Sequence, residues 1–410
     1  MINKRAFYML LCILFLLSAE VYSQSGTVDE ARGVEVAQDI VSSEPIATCT
    51  ELQPLIILVD FPDVTPRVNR SEVEDRFFLQ LNKYIMTESY GKFCLGGEVT
   101  ENWYEMPDPV TEYKISSRNL EVNKTRVEKL ITDALNAADE DFDLSNYTYV
   151  VLVLSANVTE YGMIGLCGYP GMLGWTETEV LSAPSGERVN GGVAIFTYQA
   201  HLGTLFHDTA HILGGVVDGK RMVPCLYDHD LQALPGPARE VAIGAMKNVG
   251  FWDPMSCHFY QWGVAPPAIT SWTRMRLGWL DPSKVAVVDP GEESEVLLGP
   301  LENGTSETLA IKIPLTSSTY YLIENRQPIG FDQHSPGSGV LIMFADDSIA
   351  ECRHGEAPLK IIDANPAVPN LEDAAFDIGK RDEFVDEENG IKIKLLEKED
   401  YSYRILISPL

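Results

Sequence analysis

Residues 202–213, LGTLFHDTAHIL, constrain the fold more than any other part of the chain. At helical spacing Leu202, Leu205, Phe206, Ala210 and Leu213 share one broad apolar face, while Thr204, His207, Asp208 and His211 cluster on the opposite one. One side of such a helix must lie on a core, and the other must present two imidazoles together. Histidines at i and i+4 point the same way, at a separation that lets both reach one tetrahedral zinc. A pair of solvated or hydrogen-bonded histidines is the bland alternative. Gly214-Gly215 then permits a sharp reversal of the chain.

The segments before this helix alternate between strand and helix. Residues 55–60, LIILVD, form a short buried-strand pattern. Ser71-x-x-Glu74 reads as a capping box opening a helix with Val73, Phe77, Phe78 and Leu81 inward. A strand is expected over 97–104, and a second amphipathic helix carries Val127, Leu130, Ile131, Ala134 and Leu135. Strand-like runs follow at 149–154 and 192–197, with a glycine-rich loop over 162–174 between them. Past residue 281 the pattern turns to short β-rich runs, at 285–288, 296–298, 309–313, 320–324, 340–344 and 391–396. The expected class is α+β, with an α/β domain over 49–281 and a β-rich domain over 282–410.

An export signal precedes these segments. Lys4 and Arg5 are followed by an apolar run over 6–19 and small-residue cleavage chemistry at Val21-Tyr22-Ser23, so 1–23 reads as a signal peptide. That run is too short to span a bilayer comfortably, and no membrane insertion of the mature chain is expected. Residues 24–48, polar and acidic, read as a leader or pro-segment. Cys12 leaves with the signal; Cys49, Cys94, Cys167, Cys225, Cys257 and Cys352 remain, an even set that reads as up to three disulfides. Sequons at Asn69, Asn123, Asn146, Asn157 and Asn303 suit a secreted glycoprotein. The formal net charge of −29 argues against nucleic acid and anionic membrane as partners. Asp60 with Asp63, or Asp346 with Asp347, are the calcium candidates, although acidic loop pairs are usually just solvated.

Asp208 follows the first histidine directly, where zinc peptidases carry the carboxylate that takes a proton from the attacking water. Six ordered stretches then make a family likeness specific. They are PLIILVDFPD (54–63), ESYGKFCLGGEVTENWYEMP (88–107), LFHDTAHILGG (205–215), FWDPMS (251–256), SWTRMRLGWL (271–280) and YYLIENRQPIGFD (320–332). Across roughly 52–345 the chain resembles the immune inhibitor A family of secreted zinc metallopeptidases. The third stretch stands where that family has H-E-x-x-H-x-x-G, and the fourth resembles its methionine-bearing turn. The resemblance implies a zincin-like fold, a Zn2+ site on His207 and His211, and protein or peptide substrates.

Two departures from the family bear on the site. Asp208 replaces the glutamate. Where the family reads G-L-P-D-L-Y-D, an apparent insertion is followed by Val223-Pro224-Cys225-Leu226-Tyr227-Asp228, so Cys225 stands against the first aspartate and Asp228 matches the second. Asp228 is the first candidate for a third ligand, with Asp218, His229 and His258 behind it. Cys225 is expected in a disulfide with Cys257, not as a thiolate ligand. Three functions compete: a metalloendopeptidase with Asp208 as general base, a catalytically inactive extracellular binding protein on the same scaffold, and a purely structural extracellular glycoprotein, which would hold no metal.

Overall fold

The computed structural model describes residues 49–116, 122–174, 181–234, 243–261 and 263–410. The expected signal peptide and leader, 1–48, lie outside the described residues.

Strand β1 (Thr50–Leu52) pairs in parallel with β3 (Phe93–Leu95), and the Cys49–Cys94 disulfide pins this pair at its start. The principal sheet has the order β4-β2-β6-β8-β7, built from β2 (Pro54–Asp60), β4 (Glu98–Val99), β6 (Tyr149–Leu154), β7 (Gly165–Tyr169) and β8 (Val193–Thr197). The short β5 (Tyr104–Glu105) also pairs with β2. The expected strand over 97–104 is therefore two short pieces, β4 and β5. Within the expected glycine-rich loop lies a strand, β7, antiparallel to β8 at the sheet edge.

Both faces of this sheet are covered, which is why β2, β6 and β8 read as continuous apolar runs. Leu55, Ile57 and Val59 point into one core, which the helix α2 (Lys124–Ala138) closes with Val127, Leu130, Ile131, Ala134 and Leu135. Ile56 and Leu58 point into the other. There they meet α1, which runs through Arg70–Glu74, a π-helical Asp75–Leu81 and Asn82–Glu88, and α3 (Leu202–Gly214). The cap of α1 is Asn69, not Ser71: its side chain accepts from Glu72 N while the Glu72 carboxylate accepts from Asn69 N.

A short hairpin of β9 (Val216–Val217) and β10 (Lys220–Arg221) follows α3, and after α4 (Ser271–Arg276) the chain forms two more sheets. One joins β11 (Val285–Val287), β13 (Ala310–Pro314), β14 (Thr319–Arg326), β15 (Gly339–Asp346) and β16 (Leu359–Ile361) in the order β11-β13-β14-β15-β16. The other joins β12 (Ser294–Leu298), β17 (Glu383–Asp386), β18 (Ile391–Glu399) and β19 (Ser402–Pro409) in the order β12-β19-β18-β17. Ile311, Ile323 and Ile342 of the first pack on Ile393, Ile405 and Ile407 of the second. The other face of the first sheet, with Leu322, Leu341 and Met343, joins the same core as α1 and α3. Strand content thus changes after residue 281, yet one continuous core crosses that point.

Buried charge ties the two parts together. Arg274 on α4, fully buried, pairs with Glu88 at the end of α1 and with Glu302. Arg326 on β14 pairs with Glu324 and Asp332, and Glu324 also accepts from Ser271 N. Removing one partner of such a pair would strand a charge in the core, at about 3–5 kcal/mol.

Candidate metal centre

Helix α3 sits beneath the sheet with Gly203 to Ile212 all buried, so its polar face is as enclosed as its apolar one. His207 and His211 each use Nδ1 on a backbone carbonyl: Pro254 O at 2.9 Å and Val223 O at 2.7 Å. With Nδ1 so engaged, the two Nε2 atoms are the ones left to bind a ligand. Both face the same atom, Cys225 Sγ, at 3.5 Å each. All three side chains are at most 3% exposed.

This donor set fits zinc. A tetrahedral centre with Zn–N of about 2.0–2.1 Å and Zn–S of about 2.3 Å separates nitrogen from sulfur by roughly 3.6 Å. His207, His211 and Cys225 offer donor atoms within 4.8 Å of one another, the one such group of three or more among the described residues. Thiolate with imidazole is a donor set that suits transition metals, zinc among them, better than the hard cations. Burial would lower the His207 pKa, but the Cys225 thiolate overrides it and holds that pKa up at about 9. Burial would likewise raise Cys225, yet His211, His229 and His207 hold it well below the ordinary thiol range. Burial brings His211 down to about 4.

The turn below the site is braced at several points. Asp253 accepts from Met255 N, Thr270 N and the hydroxyls of Thr270 and Thr273, tying the turn to the start of α4. Pro254 can then orient His207, and Met255 O accepts from Leu226 N beside Cys225. Arg326 also reaches this turn, donating to Trp252 O.

Asp208 lies next to the donors but is not one of them. Its Oδ2 approaches Gly165 so closely that a Cβ there would come within 2.8 Å, and Cys167 N–H donates to its carboxylate. Burial pushes its pKa up to about 7. A dication at the site would draw it down again.

Two expectations are corrected. Asp228 is not beside the histidines: it caps the helical turn His229–Gln232, accepting from Asp230 N and Leu231 N, and takes Gly355 N on its other oxygen. Those amides outweigh burial and keep its pKa below the ordinary carboxylate value. Cys225 stands with the histidines instead, where the likeness aligned it with the first aspartate of the family motif; that alignment was the available signal. No Cys225–Cys257 disulfide exists: both are buried free thiols, as are Cys167 and Cys352, and Cys257 donates to Phe259 O. Of the calcium candidates, Asp60 accepts from Phe61 N, Asp63 from Val110 N and Asp346 from Ser348, while Asp347 pairs with Arg276.

Of the reserve ligands, Asp218 is an exposed turn residue at positive φ. His229 opens the turn capped by Asp228, its ring 4.8 Å from that of Tyr227. His258 lies against the site, its ring 4.6 Å from that of His207 and its Nδ1 2.9 Å from Thr204 Oγ1. The cavity lined by Met246, Gly250, Phe251, Asn370 and Leu371 contains none of these site groups.

No family model matches the chain, and no curated protein matches it.

Proposed function

We propose that the protein is a secreted zinc-dependent endopeptidase of low activity, with His207, His211 and Cys225 as zinc ligands and Asp208 as the general base. One observation carries the reading: two imidazole nitrogens from one helix and one sulfur stand at zinc spacing, with a carboxylate beside them and outside the donor set. When bound, zinc would supply Lewis-acid polarisation of a peptide carbonyl and an acidified water. The two carbonyls on Nδ1 orient the imidazoles, and Asp208 receives the proton. The Cys49–Cys94 disulfide and the apparent signal sequence support a secretory route. Low activity follows from the base. Aspartate falls about 1.5 Å short of the family's glutamate, one C–C bond, and a misplacement of about 1 Å costs on the order of 10²-fold in rate.

The alternative, an inactive binding protein that retains zinc, draws on the near-complete burial of the donors and on the thiolate. Metal analysis beside a protease assay on unfolded casein separates the two. The endopeptidase reading expects about one zinc per chain and weak, chelator-sensitive cleavage. Asp208→Asn should abolish that cleavage and keep the zinc, while Asp208→Glu should raise it at least several-fold. A zinc-loaded Asp208→Glu protein without activity refutes the enzyme reading in favour of the binding protein.

A further inference from the structure

We propose that Glu351 is a positioning residue of the metal centre, reaching it from the β-rich part of the chain through a buried ion pair with Arg221. The proposal rests on the zinc reading of His207, His211 and Cys225, and it holds whether or not the centre cleaves peptides.

The chain between α3 and Cys225 is a weak support by itself. It reverses at Gly215 into the β9–β10 hairpin, whose strands are two residues each. Residues 217–220 are exposed, and a ribbon of that size is marginal in water. Yet the residues that follow it carry two atoms the centre needs. Val223 O holds Nδ1 of His211, and Cys225 Sγ faces both Nε2 atoms. A shift of the hairpin moves both.

Arg221 holds the hairpin in place. It is the one buried residue between positions 216 and 221, at 7% exposure. Its Nε and Nη2 donate to the two carboxylate oxygens of Glu351, at 2.9 and 2.7 Å. A two-pronged pair of this kind fixes direction as well as distance. Arg276 on α4 links the same two segments, donating to Met222 O at 3.1 Å and pairing with Asp347 at 2.8 Å.

Asp347 and Glu351 both belong to the loop between β15 and β16. That loop is closed on itself where the backbones of Arg353 and Glu356 exchange hydrogen bonds. Its Cys352 O also accepts from His229 N at 3.4 Å, on the far side of Cys225. The cysteine ligand thus sits between two attachments to one loop, and Glu351 is 130 positions from the arginine it holds. The β-rich part of the chain is therefore part of the centre's support.

The test uses the full-length protein. Competition with a chromophoric chelator gives zinc affinity, and a thermal melt shows that each sample is folded. Cobalt(II) loaded in place of zinc adds a sulfur-to-metal charge-transfer band that reports the bond to Cys225. Glu351→Gln keeps the size of the side chain and removes its charge. It should weaken zinc binding about 10-fold, the lower end of the range for groups that orient metal ligands, and should shift or weaken the cobalt band. Arg221→Gln should do the same, and the double variant should lose no more than either single one. Glu351→Asp keeps the charge but shortens the reach by about 1.5 Å, so its zinc affinity should fall between those of the wild type and Glu351→Gln. A pair with only a structural role would lower the melting temperature and leave affinity and band as in the wild type. That result in folded Glu351→Gln refutes the proposal while the zinc centre stands. Should Glu351→Gln not fold, wild-type affinity and band in Glu351→Asp refute it instead. A wild-type protein that takes up neither zinc nor cobalt removes the zinc reading and this proposal together.

Discussion

Replacing Cys225 with serine tests the identity of the third ligand directly. The sulfur stands 3.5 Å from both Nε2 atoms, so the substitution removes one of three protein donors without touching the helix. Apparent zinc binding energies in four-ligand sites run to about 10–16 kcal/mol, or roughly 2.5–4 kcal/mol per ligand. At about 1.4 kcal/mol per tenfold, Cys225→Ser should weaken zinc binding on the order of 10²- to 10³-fold. Serine will not compensate, because its hydroxyl stays protonated near neutral pH and its oxygen reaches less far than sulfur. The loss also shows as stability. At free zinc about 100-fold above the wild-type Kd, binding adds about 2.7 kcal/mol to folding; for the variant the gain falls to about 0.4 kcal/mol or less. Competition titration against a chromophoric chelator, with thermal melts at fixed free zinc, reads both quantities. Asp228→Asn is the control, since Asp228 caps a helical turn and takes no part in the donor set. Zinc affinity unchanged in Cys225→Ser but lost in Asp228→Asn would refute the assignment.

The pKa of Asp208, near 7 in the metal-free protein through burial, makes that protein's stability depend on pH. A carboxyl whose folded pKa lies above its unfolded value of about 3.9 destabilises the fold increasingly as pH rises from about 4 to 7. Asp208→Asn should therefore stabilise the metal-free chain above pH 7, by roughly 1–4 kcal/mol at 1.36 kcal/mol per pKa unit, and should leave it unchanged below about pH 4; denaturant melts at several pH values check this. The Cys49–Cys94 disulfide closes a separation of 45 residues, for which chain entropy gives about 4 kcal/mol. Cys94→Ala should lower the unfolding free energy by about that amount in urea melts, without altering zinc content.

The six family-like stretches meet in space, and buried charge explains why several of them do. Glu88 of the second reaches Arg274 of the fifth; Arg326 of the last reaches Trp252 of the fourth, and Asp253 of that stretch fixes Thr270 and Thr273 beside the fifth. Sequence order exposed these segments as a set, but only the fold shows that much of what they hold in common is ion pairing and turn bracing around the centre.

Local physics settled what the sequence could settle alone. The i, i+4 histidines, the apolar strands over 55–60 and 149–154, and the amphipathic periodicity of α2 all depend on residues a few positions apart, so they were legible without the fold. The edge strand β7, with two glycines among its five residues, carried no strand signature; its pairing with β8 makes it a strand. The third donor was hidden for a similar reason. Cys225 and Asp228 lie three residues apart, and both are chemically competent ligands. What separates them is which backbone amides lie nearby: Asp230, Leu231 and Gly355 take the Asp228 carboxylate, and Gly355 comes from 127 positions away. The Cys225 sulfur meets two imidazoles held by Pro254 and Val223. A ligand is defined by the convergence of donor atoms within a few ångströms, and that convergence is a property of tertiary structure, because the chain brings distant segments together only on folding.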